Sequence, residues 1–152
     1  MTRHFTQVAP SLWHSPRFLA LPDDVRLLFV YFLTGPHQNN AGCFRLPDGY
    51  ACSDLRWEAE KYVRARTALV QAGLIQFDPV TSEILIERWF KHCAPANEPH
   101  RKGVEGTLGR VQSDNLREAA ENALEEMMAT SFERKSAGTG MRAGRGIASR
   151  GP

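Results

Sequence analysis

The chain has 152 residues, a mass of 17.0 kDa, 42% hydrophobic residues and 24% charged ones. That suits one globular domain with an appendage, and excludes a fibrous or wholly disordered chain. The longest apolar run, Leu27 to Leu33, has seven residues, against the roughly 18 that a membrane helix needs. The N-terminus lacks the long apolar segment of a signal peptide. Three cysteines are too few for a disulfide framework and suit a reducing cytoplasm.

The net charge of +2 hides a division into three pieces. Residues 1–112 carry +2, residues 113–133 carry −5, and residues 134–152 carry +5 with no acid. A mixed body, an acidic helix-like segment and a basic tail are physically different materials.

In chain order, Phe5, Val8, Leu12, Trp13 and Phe18 predict an ordered arm whose large side chains reach a core. Ser15-Pro16 predicts a short helix, with Ser as its cap and Pro at the first helical position. Pro22-Asp23-Asp24 opens a stronger one, because two carboxylates meet the positive helix end. Leu27 to Leu33 is apolar all round, so this helix is expected to be buried on most sides. Gly35-Pro36 ends it. Cys43 to Leu46 alternates like a short strand and stops at Pro47. Asp48 to Leu55 reads as a short helix. Trp57 to Ala72 reads as a longer one, with Tyr62, Ala65, Leu69 and Ala72 at spacings of three and four and Gly73 as C-cap. Leu74 to Phe77 and Ile84 to Trp89 read as strands joined by the turn Asp78 to Ser82. The order is that of a winged helix-turn-helix, with the hairpin as wing.

Asp114 to Ser131 reads as an amphipathic helix. Leu116, Ala120, Ala123, Leu124 and Met127 form one stripe, with Glu118, Glu121, Glu125 and Glu126 elsewhere. It either docks on the body, mediates dimerisation or fills a partner's groove. Gly138 to Pro152 has few bulky apolar residues and predicts a disordered basic tail. The fold class is therefore mainly α with a small β-hairpin. A winged-helix domain (1–112, with its N-terminal arm) precedes an acidic helix (113–133) and a basic disordered tail (134–152).

The residues carry a resemblance as well. Leu28-Phe29-Val30-Tyr31-Phe32-Leu33 with Pro36-His37 is followed by Gly42-Cys43-Phe44-Arg45-Leu46-Pro47 and Gln71-Ala72-Gly73-Leu74-Ile75. Then come Trp89-Phe90-Lys91-His92, Pro95-Ala96-Asn97 and Lys102-Gly103-Val104. This succession, over roughly residues 3 to 112, resembles the winged-helix N-terminal domain of phage and prophage replication proteins, the DnaD-like replisome organisers and related initiators. The resemblance implies binding of double-stranded DNA at a phage origin, recruitment of helicase-loading proteins in a bacterial cytoplasm, and no catalysis. That family usually has a Gly in the turn between the paired helices; here the turn is Asp54-Leu55-Arg56-Trp57. Arg66 stands where an apolar residue is usual. About 40 residues follow the winged helix, too few for the second helical domain that such initiators often carry.

Placing Tyr62, Ala65, Leu69 and Ala72 in the core turns Lys61, Arg64, Thr67, Ala68 and Gln71 outward. Arg56, Lys61, Arg64 and Thr67 are the candidate DNA contacts of the body. Arg142, Arg145 and Arg150 are candidate phosphate contacts of the tail. The competing reading is that the helix charges are ordinary solvated ones, paired as Glu60 and Arg64 at four-residue spacing. Glu58 and Glu60 oppose phosphates, and Asp78, Glu83 and Glu87 predict an acidic wing. With an acidic wing, either the wing stands away from DNA or the domain is a winged helix that binds a host or phage protein; transcriptional regulation is a variant of the DNA-binding reading. Arg88, Lys91, Arg101, Lys102 and Arg110 follow the wing and could line a neighbouring face. Cys43, Cys52, Cys93 and His92 lack metal-ligand spacing and are expected to be unliganded. Gly103, Gly106 and Gly109 are not followed by Gly-Lys-Ser/Thr, so they form no phosphate loop. No cofactor and no enzymatic motif is expected.

Overall fold

The computed structural model describes residues 5–140. A 3₁₀ turn, Pro10–His14, leads to α1 (Pro16–Leu19), α2 (Asp23–Thr34), β1 (Cys43–Arg45), α3 (Asp48–Leu55) and α4 (Ala59–Gln71). Then follow β2 (Ile75–Asp78), β3 (Glu83–Ile86), α5 (Trp89–His92), α6 (Glu98–Leu108) and α7 (Asp114–Gly140). The protein is mainly helical around one small antiparallel sheet of order β1-β3-β2. Helix, strand, two helices and a hairpin in that order, with β3 between β1 and β2, make a winged helix-turn-helix.

Packing follows the helical period. Val25, Leu28, Phe29 and Phe32 of α2 are buried, and α4 meets them through Tyr62, Ala65 and Leu69. The Phe32 ring lies edge-on to Phe44 and to Tyr62, each 6.4 Å away between centroids. One edge of α2 stays in water, since Leu27 is exposed, so the helix is less enclosed than its composition suggests. Ser15 caps α1 without a side-chain hydrogen bond. Instead Arg26 closes the other end of α1, donating to the carbonyls of Leu21 and Leu19 at 2.9 and 2.5 Å.

Glycine is required at two places. Gly73 has φ +70° just past α4, and the next amide, Leu74, donates to Leu69 O at 3.1 Å. That is a Schellman closure, and it takes Leu74 out of the strand, so β2 starts at Ile75. Gly42 has φ +64°, and an added Cβ would sit 2.4 Å from Trp89 Cγ. The indole lies flat on the glycine and donates through Nε1 to Asn40 O at 3.1 Å. This contact explains why the strand expected to reach Trp89 stops at Ile86. Arg88 turns left-handed, φ +58°, and swings Trp89 into the short helix α5.

α6 escapes a reading by composition because Gly103 and Gly106 lie within it. Its start is marked by Asn97, whose side chain accepts from His100 N at 2.9 Å, with Pro99 in the first turn.

β3 is buried on both faces. One face packs on the α2–α4 core. The other, carrying Glu83 and Leu85, is covered by α7, whose Leu116, Ala120 and Leu124 are buried. The helix belongs to the same core as the body. It also runs past the expected boundary at 131–133, so residues 134–140 are helical rather than part of a disordered tail. Only Arg134, Lys135 and Ala137 of that stretch are good helix formers, and Gly138 and Gly140 are not, so local propensity alone does not account for the extension. Residues 141–152, the rest of that expected tail, lie outside the described residues.

Two outcomes check this packing. Leu69→Ala lowers unfolding free energy by about 2–5 kcal/mol in chemical denaturation, as for a fully enclosed leucine. Glu83→Ala, which leaves two amides at the start of α7 without their acceptor, costs about 1–3 kcal/mol by the same measurement.

Candidate nucleic-acid interface

The turn between α3 and α4 is built by a residue that rarely occupies its conformation. Arg56 has φ +55° and ψ +44°, left-handed, where glycine is strain-free. Its amide donates to Cys52 O, and the next amide, Trp57, reaches the same carbonyl at 3.1 Å. This is the same helix closure that Gly73 makes, built here without a glycine. The backbone therefore takes the ordinary turn, and the Arg56 side chain is left exposed at the foot of α4. Because the Trp57 amide is spent on closing α3, Glu58 becomes the N-cap and α4 starts at Ala59, two residues later than the sequence suggests.

Trp57 then receives Lys61. The ammonium sits 4.4 Å from the indole centroid, a cation–π contact. Lys61 is half-buried there and does not share the outward ridge of Arg64. That ridge consists of Glu60, Val63, Arg64, Thr67, Val70 and Gln71, all exposed, at the spacing of one helix face. Ala68 is half-buried. The expected outward set is thus corrected by about one residue of rotation: Val63 and Val70 replace Lys61 and Ala68. Thr67 is exposed, with its hydroxyl already donating to Val63 O at 2.9 Å. Among the candidates, Arg56 and Arg64 have the freest guanidinium positions. Arg142, Arg145 and Arg150 lie outside the described residues.

Arg66 is 7% exposed. It is the inward counterpart of this ridge. Its guanidinium carbon lies 3.7 Å from the Phe77 ring centroid and 5.1 Å from that of Tyr62. Nη1 donates to Asp48 Oδ1 at 2.5 Å. One side chain thus ties the start of α3, the middle of α4 and strand β2. A planar cation that stacks on rings while holding a carboxylate suits such a site better than lysine. Burial pushes the Tyr62 phenol up to about 12, against the pull of Arg66.

Of the three acids of the hairpin only Glu83 leaves the surface; Asp78 and Glu87 are half-buried. Glu83 is 4% exposed and accepts from the amides of Gln112 and Ser113 at 2.8 and 2.7 Å. Asp78 accepts from Val80 N at 2.8 Å, and a hydrogen bond with the Ser113 side chain, helped by this one, holds its carboxyl below the usual range. Glu87 accepts from Gln76 Nε2 at 2.5 Å. The tip itself carries Val80, 90% exposed. The period-two alternation of β3 could have signalled the inward turn of Glu83; the partner amides, thirty residues further on, could not be foreseen.

A second polar group stands beside the turn. Asp54 Oδ2 accepts from Tyr31 OH at 2.6 Å and lies 3.2 Å from His37 Nε2. The His37 ring stacks on Tyr50 at 5.7 Å. This network pins the loop after α2 to α3 and occupies the Asp54 carboxylate, two residues before Arg56. Burial and the Asp54 carboxylate raise the Tyr31 phenol well above its ordinary value, so it stays a donor. A cleft of about 320 Å³ opens between the N-terminal arm, the Asn40 loop, α5 and α6. Phe5, Asn40, Trp89, Cys93 and His100 line it, and no acid does. Among the described residues no group of three or more His, Cys, Asp or Glu is placed to hold a metal. Cys43 is buried, and burial with the Glu83 carboxylate pushes its thiol up to about 12. No family model, curated protein or solved structure matches the chain.

Arg56→Gly is the informative change at the turn. Relief of the left-handed strain raises unfolding free energy by up to about 1 kcal/mol, read by denaturation. A fall in stability instead would mean that the Arg56 side chain makes a contact that outweighs its backbone strain.

Proposed function

We propose that this is a phage- or prophage-encoded winged-helix protein that binds double-stranded DNA through α4 and acts in replication initiation or its control. The observation that carries the reading is the outward face of α4. It offers Arg64, Thr67 and Gln71 on one ridge, with Arg56 at its foot. Exposed arginine and glutamine two turns apart on one helix face can address base edges in a major groove. The burial of Glu83 supports it further, because it withdraws one of the three hairpin acids from the surface that would stand nearest a phosphate backbone. The succession of motifs from Leu28 to Val104 supports the assignment to replication.

A second reading has its own observation. Val63 and Val70 are exposed on the same ridge as Arg64, and Glu60 stands beside them. A ridge that mixes two exposed valines with opposite charges also fits a protein partner, for instance a component of a host or phage complex. No helix among the described residues is long and apolar enough to cross a membrane.

The two readings separate by salt and sequence dependence. Arg64→Ala lowers the preference for a specific duplex over a scrambled one by about 1–3 kcal/mol, if it reads a base bidentately. Replacing Arg142, Arg145 and Arg150 together by Ala weakens binding to every duplex alike and flattens its salt dependence. The measurement is affinity for both duplexes at several salt concentrations. If the triple variant binds no duplex at low salt, α4 does not read DNA and the protein-binding reading stands.

A further inference from the structure

Beyond Met128, α7 leaves the hydrophobic core that the described residues form. The helix has 27 residues and so is about 40 Å long. Its first three turns are seated on the sheet through Leu116, Ala120 and Leu124, with Met127 and Met128 at the margin of the core. Beyond Met128 only Ser131 is even half-buried among residues 129–138, and Phe132 is 74% exposed. A helical overhang this short is marginal alone in water, and it carries a phenylalanine into solvent.

The overhang also has a definite pattern. Glu125, Met128, Phe132 and Lys135 succeed one another at steps of three, four and three, which places them on one ridge. At about 100° per residue this ridge lies roughly 100° around the helix from the stripe that docks on the sheet. Read in the two directions, it is complementary to itself. Opposed antiparallel to a copy, Glu125 meets Lys135 and Lys135 meets Glu125, while Met128 meets Phe132 at both levels between. No basic residue lies three or four positions from Glu125 or Glu126, and no acid lies at that distance from Arg134. Glu125 therefore has no opposite charge one turn away on its own helix.

We propose that α7 pairs with α7 of a second copy, antiparallel about a twofold axis near Thr130, through Glu125, Met128, Phe132 and Lys135. A twofold contact uses one patch twice, which is what a stripe of charge, apolar, apolar and opposite charge permits. The thioether of Met128 beside the Phe132 ring supplies the apolar centre. The proposal does not rest on the DNA-binding reading; it would serve a protein-binding domain equally.

Sedimentation equilibrium of the full chain over a range of concentrations tests it. The unaltered protein dimerises. Glu125→Lys and Lys135→Glu each weaken the dimer by about tenfold or more, because each puts two like-charge pairs in place of two opposite ones. The combination Glu125→Lys with Lys135→Glu restores the dimer to within about threefold of the unaltered protein. Phe132→Ala weakens it without changing the helix content seen by circular dichroism of the body. A chain that stays monomeric at all concentrations overturns the proposal. So does a dimer indifferent to the single charge reversals, or one that the double reversal fails to restore, since a parallel pair would set residue 125 against 125.

Discussion

The carboxylate of Glu83 decides how the two halves of this molecule meet. It is buried in the central strand and takes the two amides that open α7. A buried carboxylate without such donors would be costly, and a helix start without an acceptor would leave its own amides unsatisfied. Each satisfies the other. The strand is thereby committed to the helix, and the helix to covering the open face of the sheet.

That commitment reshapes the wing. Asp78 and Glu87 find donors within the hairpin itself, Val80 N and Gln76 Nε2. Glu83 is taken off the surface by the segment that leads into α7, and the exposed tip carries Val80. The wing thus shows one acid fewer than its composition suggests. The same logic runs the other way on α4. Lys61 is drawn onto Trp57 and Arg66 into the core, so the helix shows fewer positive charges than it contains.

The turn before α4 and the end of α4 share one device. Arg56 and Gly73 both take left-handed backbone and let the following amide return to the helix. Glycine does so without strain; arginine does so at a cost and leaves a long cation at the entrance to the outward ridge. A position that tolerates strain where a plain residue would fold more easily points to use of the side chain.

Much of the architecture was legible from residue order. The 3.6-residue spacing of Tyr62, Ala65 and Leu69, the Gly35-Pro36 and Gly73 stops, and the turn at Asp78 to Ser82 are local signals, and each belongs to the element it marks. Segment charges likewise named the acidic helix. Tertiary structure decided what local signals cannot carry. Whether Arg66 is solvated depends on Phe77 and Asp48, and whether Glu83 repels a phosphate depends on Gln112 and Ser113. The end of β3 at Ile86 depends on Gly42 receiving Trp89. In each case the deciding partner lies more than ten residues away, and periodicity reports only a residue's own face, not the group that will be brought against it.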